Sequence, residues 1–145
     1  MKKLLMLIGR ICLSLIFVTS AVSKLFSWDE TVQYMTTHLN QWIVSTNFPD
    51  IIHGGMTLLS AYALPMLIVA TIFEGVGGLF VLLGFKVRFG ATLLILTLIP
   101  ITIIMHPFWL ATGPEKTLQM AMFMKNLAIL GGLFILSAQG GDSEG

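Results

Sequence analysis

Residues 64–83 read LPMLIVATIFEGVGGLFVLL. The run carries a single charge, Glu74. An α-helix needs about 20 apolar residues to cross a bilayer, so this stretch by itself predicts a membrane span. The apolar residues continue without the alternation over about 10 residues that marks a barrel strand. A carboxylate in the middle of such a helix costs about 2.5–3.5 kcal/mol on insertion scales. It therefore needs either a partner or a use.

Three further apolar runs lie outward from this one: Leu4–Ser23, Phe89–Met105 and Leu118–Ala138. The predicted fold is an all-α polytopic membrane protein, a four-transmembrane-helix bundle forming one domain over residues 1–145. Composition agrees. The chain has 145 residues, of which 56% are hydrophobic and 10% charged, against about 25% charged in a soluble domain. Mean hydropathy is +0.91. An ordinary soluble enzyme is excluded, and the expected first partner is the lipid bilayer. A formal net charge of +1 gives no basic field for phosphates, so no nucleic acid is expected. The lone Cys12 excludes an intrachain disulfide, a CxxC pair and a cysteine metal cluster. It reads as a small packing residue.

The first run also has the outline of a signal peptide, with Met1-Lys2-Lys3 before it and Ser20-Ala21-Val22-Ser23 at its end. Arg10 interrupts the apolar stretch and favours a retained span. Lys2, Lys3, Arg10, Lys86 and Arg88 gather on one side of the bundle, while residues 25–60 hold no Lys or Arg. The bias predicts cytoplasmic termini, in a bacterial inner membrane. Gly140–Gly145 reads as a short disordered end.

The long loop carries its own pattern. Ser27-Trp28-Asp29-Glu30 has the form of a capping box. Trp28, Val32, Met35, Leu39 and Trp42 then recur at spacings of one helix face. An amphipathic helix is predicted near 28–43, either in the membrane interface or packed as a lid over the bundle. Asn47-Phe48-Pro49-Asp50 is a turn signal. Pro65 falls near the start of its span, where proline costs least.

Spacing also predicts which faces meet. One stripe joins Arg10, Ser14, Phe17, Ala21 and Lys24. A second joins Glu74, Gly77, Val81 and Gly84, a third Arg88, Thr92, Ile95, Ile99, Thr102 and His106, and a fourth Ala121, Lys125, Ala128 and Gly132. Each mixes small residues with ionisable ones, and small residues let membrane helices approach closely. The simplest bundle points all four inward. Glu74 with Lys125 is then the first expected pairing and Arg10 the competitor, as a structural ion pair or as a proton- or ligand-binding site. Lys24 can snorkel to the interface. His106, before Pro107-Phe108-Trp109, reads as an interfacial residue, or as a hydrogen-bond donor to a quinone-like carbonyl or a proton relay. Pro100 should kink its helix and free a carbonyl. His38, His53 and His106 give no matched axial pair for haem, and no HExxH or Ser–His–Asp order occurs. No metal site and no cofactor motif is evident.

Several local patterns, taken together and in order, resemble the DoxX family of small four-helix membrane proteins. They are Ser20-Ala21-Val22-Ser23-Lys24-Leu25, Glu74-Gly75-Val76-Gly77-Gly78, Leu82-Leu83-Gly84 leading to Arg88, His106-Pro107-Phe108-Trp109, and Phe123-Met124-Lys125-Asn126-Leu127-Ala128-Ile129-Leu130-Gly131-Gly132. The resemblance covers roughly residues 4–138. The family often has glycine ahead of the closing lysine of span one, where this chain has Ala21. The resemblance implies a membrane partner of quinone-linked oxidoreductases, with Lys24, Glu74, Arg88, His106, Lys125 and Asn126 as the matching polar positions. The expected role is a non-catalytic membrane subunit or anchor of a redox complex, with a redox enzyme subunit as partner and a quinone as the cofactor the family admits. The alternatives are a small solute transporter or a structural scaffold. Four spans are few for a monomeric carrier, so the transport reading implies a homo-oligomer.

Overall fold

A computed structural model describes residues 1–45 and 48–139. They form six helices: α1 Lys2–Phe26, α2 Trp28–Val44, α3 Asp50–Ala61, α4 Ala63–Leu83, α5 Val87–Met105 and α6 Gly113–Gln139. Four of these, α1, α4, α5 and α6, are long and apolar enough to cross a membrane. Each exceeds the run read from sequence by one to five residues at an end. The tail Gly140–Gly145 and Asn47 of the turn signal lie outside the described residues.

The four spans pack in the order α1, α4, α5, α6. Chain direction alternates between neighbours. The N-terminus, the α4–α5 turn and the end of α6 share one end of the bundle, called here the terminal end. The other end carries α2 and α3. Large apolar side chains remain exposed on every span, among them Leu15, Ile72, Leu96 and Leu127. In a bilayer those faces meet lipid, and no polar surface is required of them.

The half nearer the termini is solid. Phe17, Val81, Val87, Ala91, Leu94, Leu130, Leu133 and Leu136 form one buried cluster. Two glycines set the α4–α5 spacing there: a Cβ on Gly77 would lie 2.9 Å from the Gly90 carbonyl oxygen. Leu13 of α1 lies against Gly132 of α6, within 3.1–3.7 Å of where a Cβ would stand.

The α2 end is built differently. Ser27 alone separates α1 from α2. Its side chain makes no cap hydrogen bond, which corrects the capping-box reading. The backbone does the work instead: Ser27 N–H donates to the Ser23 carbonyl, and the Ser27 carbonyl accepts from both Thr31 N–H and the Thr31 hydroxyl. These bonds join the last turn of α1 to the first of α2, whose leading N–H groups have no side-chain cap. The apolar stripe of α2 packs on the bundle, with Leu39 and Trp42 buried. Leu39 joins Ala63 of α4 and Ile104 of α5 in a second cluster. Trp42 Nε1 donates to the Ile104 carbonyl at 3.1 Å, one of the last carbonyls of α5, which has no partner within its own helix. Trp42 also meets Trp109 edge-on, and Trp109 and Phe108 both meet Phe123. Aromatic contacts therefore tie α2 to the α5–α6 loop and to α6. Of the two placements open for this helix, its apolar face takes the lid.

Two stripes lie where spacing predicts. Ser14, Phe17 and Ala21 of α1 are buried, as are Glu74, Gly77 and Val81 of α4. The other two are rotated by about one residue. In α5 the buried face is Val87, Ala91, Leu94, Leu98 and Thr102, while Arg88 and Thr92 are exposed. In α6 it is Gln119, Asn126, Leu130 and Leu133, while Ala121, Lys125 and Ala128 are exposed. The helix α5 runs unbroken through Pro100, which cannot donate to the Leu96 carbonyl one turn back.

Candidate functional site

A cavity of about 720 Å³ occupies the half of the bundle beneath α2. Its walls come from α1, α2, α4, α5 and α6 and are mostly apolar. The polar side chains among them are few: Ser20, Lys24, Glu74, Thr97, His106, Lys125 and Asn126, with Thr31, Tyr34 and Tyr62 near the α2 end. Helices α4 and α5 touch at Gly77 and Gly90 and both line the cavity further along. A mostly apolar pocket of this size with a few convergent polar groups is the usual form of a small-molecule site.

Five residues singled out from sequence meet here: Lys24, Glu74, His106, Lys125 and Asn126. Two do not. Arg10 lies at the terminal end, its guanidinium against Gly84, which caps α4 in the left-handed conformation at φ 75°. A cation beside a helix C-terminus is favourably placed. Arg88 is at the same end, where Nη2 donates to the Ala138 carbonyl at 3.2 Å. It ties the start of α5 to the end of α6.

Glu74 is paired with Lys24, not with Lys125. Lys24 Nζ lies 2.5 Å from Glu74 Oε2 and donates a second bond to Ser20 Oγ at 3.2 Å. This corrects both the expected Glu74–Lys125 pair and the snorkelling lysine. The cause is side-chain direction. Residues on a helix lean toward its N-terminus. Ala21 sits across from Gly75, 3.7 Å from the place of a Cβ there. Lys24 is about one turn beyond Ala21, and its stem leans back to that level. On the antiparallel α4, Glu74 leans toward α1's C-terminal end, so the two side chains converge. The pair is nearly dry, with side-chain exposures of 16% and 4%. Lys125 loses the competition by rotation: its neighbour Asn126 holds the inward face, and Lys125 is turned about 100° from it.

His106 ends α5, and its Nδ1 is 2.9 Å from Gln119 Oε1. With a carbonyl oxygen as acceptor, Nδ1 carries the proton and donates. In the neutral ring Nε2 is then an acceptor. Burial lowers the His106 pKa. Lys125 and His38 add to the lowering and the Gln119 bond opposes it. A histidine whose folded pKa lies below its unfolded value stabilises the fold above the unfolded value, and that contribution is lost as pH falls through it. Bundle stability in nanodiscs should therefore decline as pH drops below 6.5. The part of the decline due to His106 should vanish in His106→Gln. A parallel decline in both proteins would show that His106 is not its source.

Gln119 is the residue that spacing could have supplied. It lies seven positions, two helix turns, before Asn126 and shares its buried face. Among the described residues no three His, Cys, Asp or Glu side chains gather as metal ligands. Cys12 is exposed on α1.

A family model described as DoxX matches residues 5–107. The chain is 30% identical over 139 residues to a protein of Escherichia coli strain K12 named "Inner membrane protein YphA", covering 96% of this chain and 85% of that one. No solved structure matches.

Proposed function

The chain belongs to the DoxX family, and from that premise we propose that it is the membrane subunit of a quinone-linked redox complex, with the cavity beneath α2 as the quinone's place. The cavity carries this reading. Its apolar walls suit an isoprenoid or alkyl chain, and its polar side chains suit an oxygen-bearing ring. Lys125 and Asn126 can donate to a carbonyl, and neutral His106 can accept a proton from a hydroxyl at Nε2. A bound quinone would supply the two-electron chemistry. The chain's own residues hold, orient and exchange protons. With a single cysteine, the chain offers no thiol pair, so the redox step on the other substrate falls to a partner subunit.

The terminal half supports binding over permeation. The cluster of Phe17, Val81, Leu94 and Leu133 fills the bundle there and stands between the cavity and that end. Solute flux into vesicles should accordingly be equal for the native protein and Glu74→Ala. The basic residues Lys2, Lys3, Arg10, Lys86 and Arg88 support cytoplasmic termini, and the Escherichia coli relative's name supports a bacterial inner membrane.

The test is native mass spectrometry on protein extracted directly from its own membrane into nanodiscs. A co-purifying quinone or redox subunit is the expected result, and the same spectrum gives the oligomeric state. A bare homo-oligomer carrying only lipid would overturn the redox reading.

A further inference from the structure

The cavity's charges do not balance. Its walls carry two lysines and one carboxylate. Glu74 is committed to Lys24. Among the described residues Lys125 has no carboxylate within 4.0 Å, and its only hydrogen-bond partner is the Met122 sulfur at 3.4 Å. Thioether sulfur is a weak acceptor, so the ammonium, exposed at the edge of the cavity, is free to pair with an anion that enters it.

Asn126 is the second observation. It is 5% exposed and lines the cavity, and among the described residues its amide has no hydrogen-bond partner. The amide is open to the cavity and not sealed in the core, so a ligand oxygen can reach it. The residue before it is the unpaired cation. Both residues line the cavity, Asn126 from the inward face of α6 and Lys125 from its exposed edge, and both can donate to an oxygen anion.

The rest of the cavity says what that anion is attached to. Phe17, Leu67, Val69, Phe73 and Ile101 are apolar wall residues. At about 720 Å³ the space falls in the range of small-ligand pockets and suits one chain better than the two of a phospholipid. We infer that the cavity binds a single-chain acidic amphiphile, its carboxylate held by Lys125 and Asn126 and its chain laid along the apolar wall of α4 and α5. This rests on the reading of the cavity as a ligand site, and it stands apart from the identity of any redox partner.

Palmitate titrated onto the full chain in nanodiscs of zwitterionic lipid tests this, with native mass spectrometry as the readout. Hexadecanol serves as the neutral analogue and decylubiquinone as a quinone. Lys125 is exposed, so Lys125→Met leaves the buried face of α6 intact. Palmitate binding is expected, weakened about 10- to 100-fold by Lys125→Met, the factor for losing a charge-assisted hydrogen bond. Lys125→Arg should retain it. Hexadecanol should bind more weakly than palmitate and ignore the Lys125→Met change. Equal palmitate binding by native and Lys125→Met protein would overturn the inference, as would hexadecanol binding as tightly as palmitate. Quinone binding without palmitate binding sinks this inference and leaves the proposed function standing. Palmitate without quinone does the reverse.

Discussion

Glu74→Leu should destabilise the bundle by about 3–5 kcal/mol, the cost of removing one partner from a buried ion pair. The change leaves Lys24, in the last turn of α1 on the cavity wall, with only Ser20 Oγ as a protein partner. Its side chain keeps 16% exposure, which places the loss toward the lower end of that range. Adding Lys24→Met to Glu74→Leu should recover most of the loss, because a buried pair replaced by apolar residues of similar size is often neutral or better. Thermal unfolding of the two single variants and the double variant in nanodiscs gives the coupling energy directly. If the two single losses simply add in the double, the pair is not an energetic unit. The double variant also separates structure from use. Should it be as stable as the native protein and still bind decylubiquinone equally well, the pair only fixes the α1–α4 register. Lost quinone binding in a stable double variant would place the pair in the site.

That pairing also shows where sequence reading stops in this chain. The four spans were legible because the bilayer fixes both length and apolarity, and those survive any detail of packing. The α1 and α4 stripes were legible because small and ionisable residues recur on one face of each: Ser14 and Ala21 with Lys24, Glu74 with Gly77. On α6 the two strongest signals, Lys125 and Asn126, are neighbours and so lie about 100° apart. Only one can face inward. Spacing alone preferred the lysine, but the buried face takes the uncharged amide. On α5 the spacing anchored on Arg88 and His106, two residues that belong to the helix ends, while the real contact is made by Gly90 and Leu94. The turn signal ending in Pro49-Asp50 is the last feature read before α4, so the helix α3 went unpredicted. Its backbone starts directly after Pro49, which ends extended at ψ 153°. The cavity itself was not legible at all. Its walls come from five helices, and no spacing within one helix records how five of them meet.

The close contact of α4 and α5 at Gly77 and Gly90 gives the other large expected effect. Gly77→Ala should cost about 2 kcal/mol net. Alanine is favoured over glycine in a helix by about 0.8–1.0 kcal/mol, so propensity alone predicts a gain. Packing reverses the sign. The added Cβ would stand 2.9 Å from the Gly90 carbonyl oxygen and 3.0 Å from two carbons of Leu94. A side chain can rotate away, but a helix carbonyl cannot, so α4 and α5 must move apart. Overpacking of a filled contact costs about 1–3 kcal/mol, and a clash against backbone sits at the top of that range. Gly131→Ala is the matched control. Gly131 lies on α6, and a Cβ there meets nothing within 4 Å. The same chemical change at that position should be neutral or stabilise by up to about 1 kcal/mol. Unfolding of the two variants side by side therefore should differ by about 2–3 kcal/mol. Equal stabilities would mean that the α4–α5 crossing is looser than the Gly77–Gly90 contact implies. The crossing also sets the cavity. Spreading the helices at Gly77 changes the angle at which Glu74, three residues earlier, meets the space beneath α2. Ligand binding in Gly77→Ala should fall even under conditions where the variant remains fully folded.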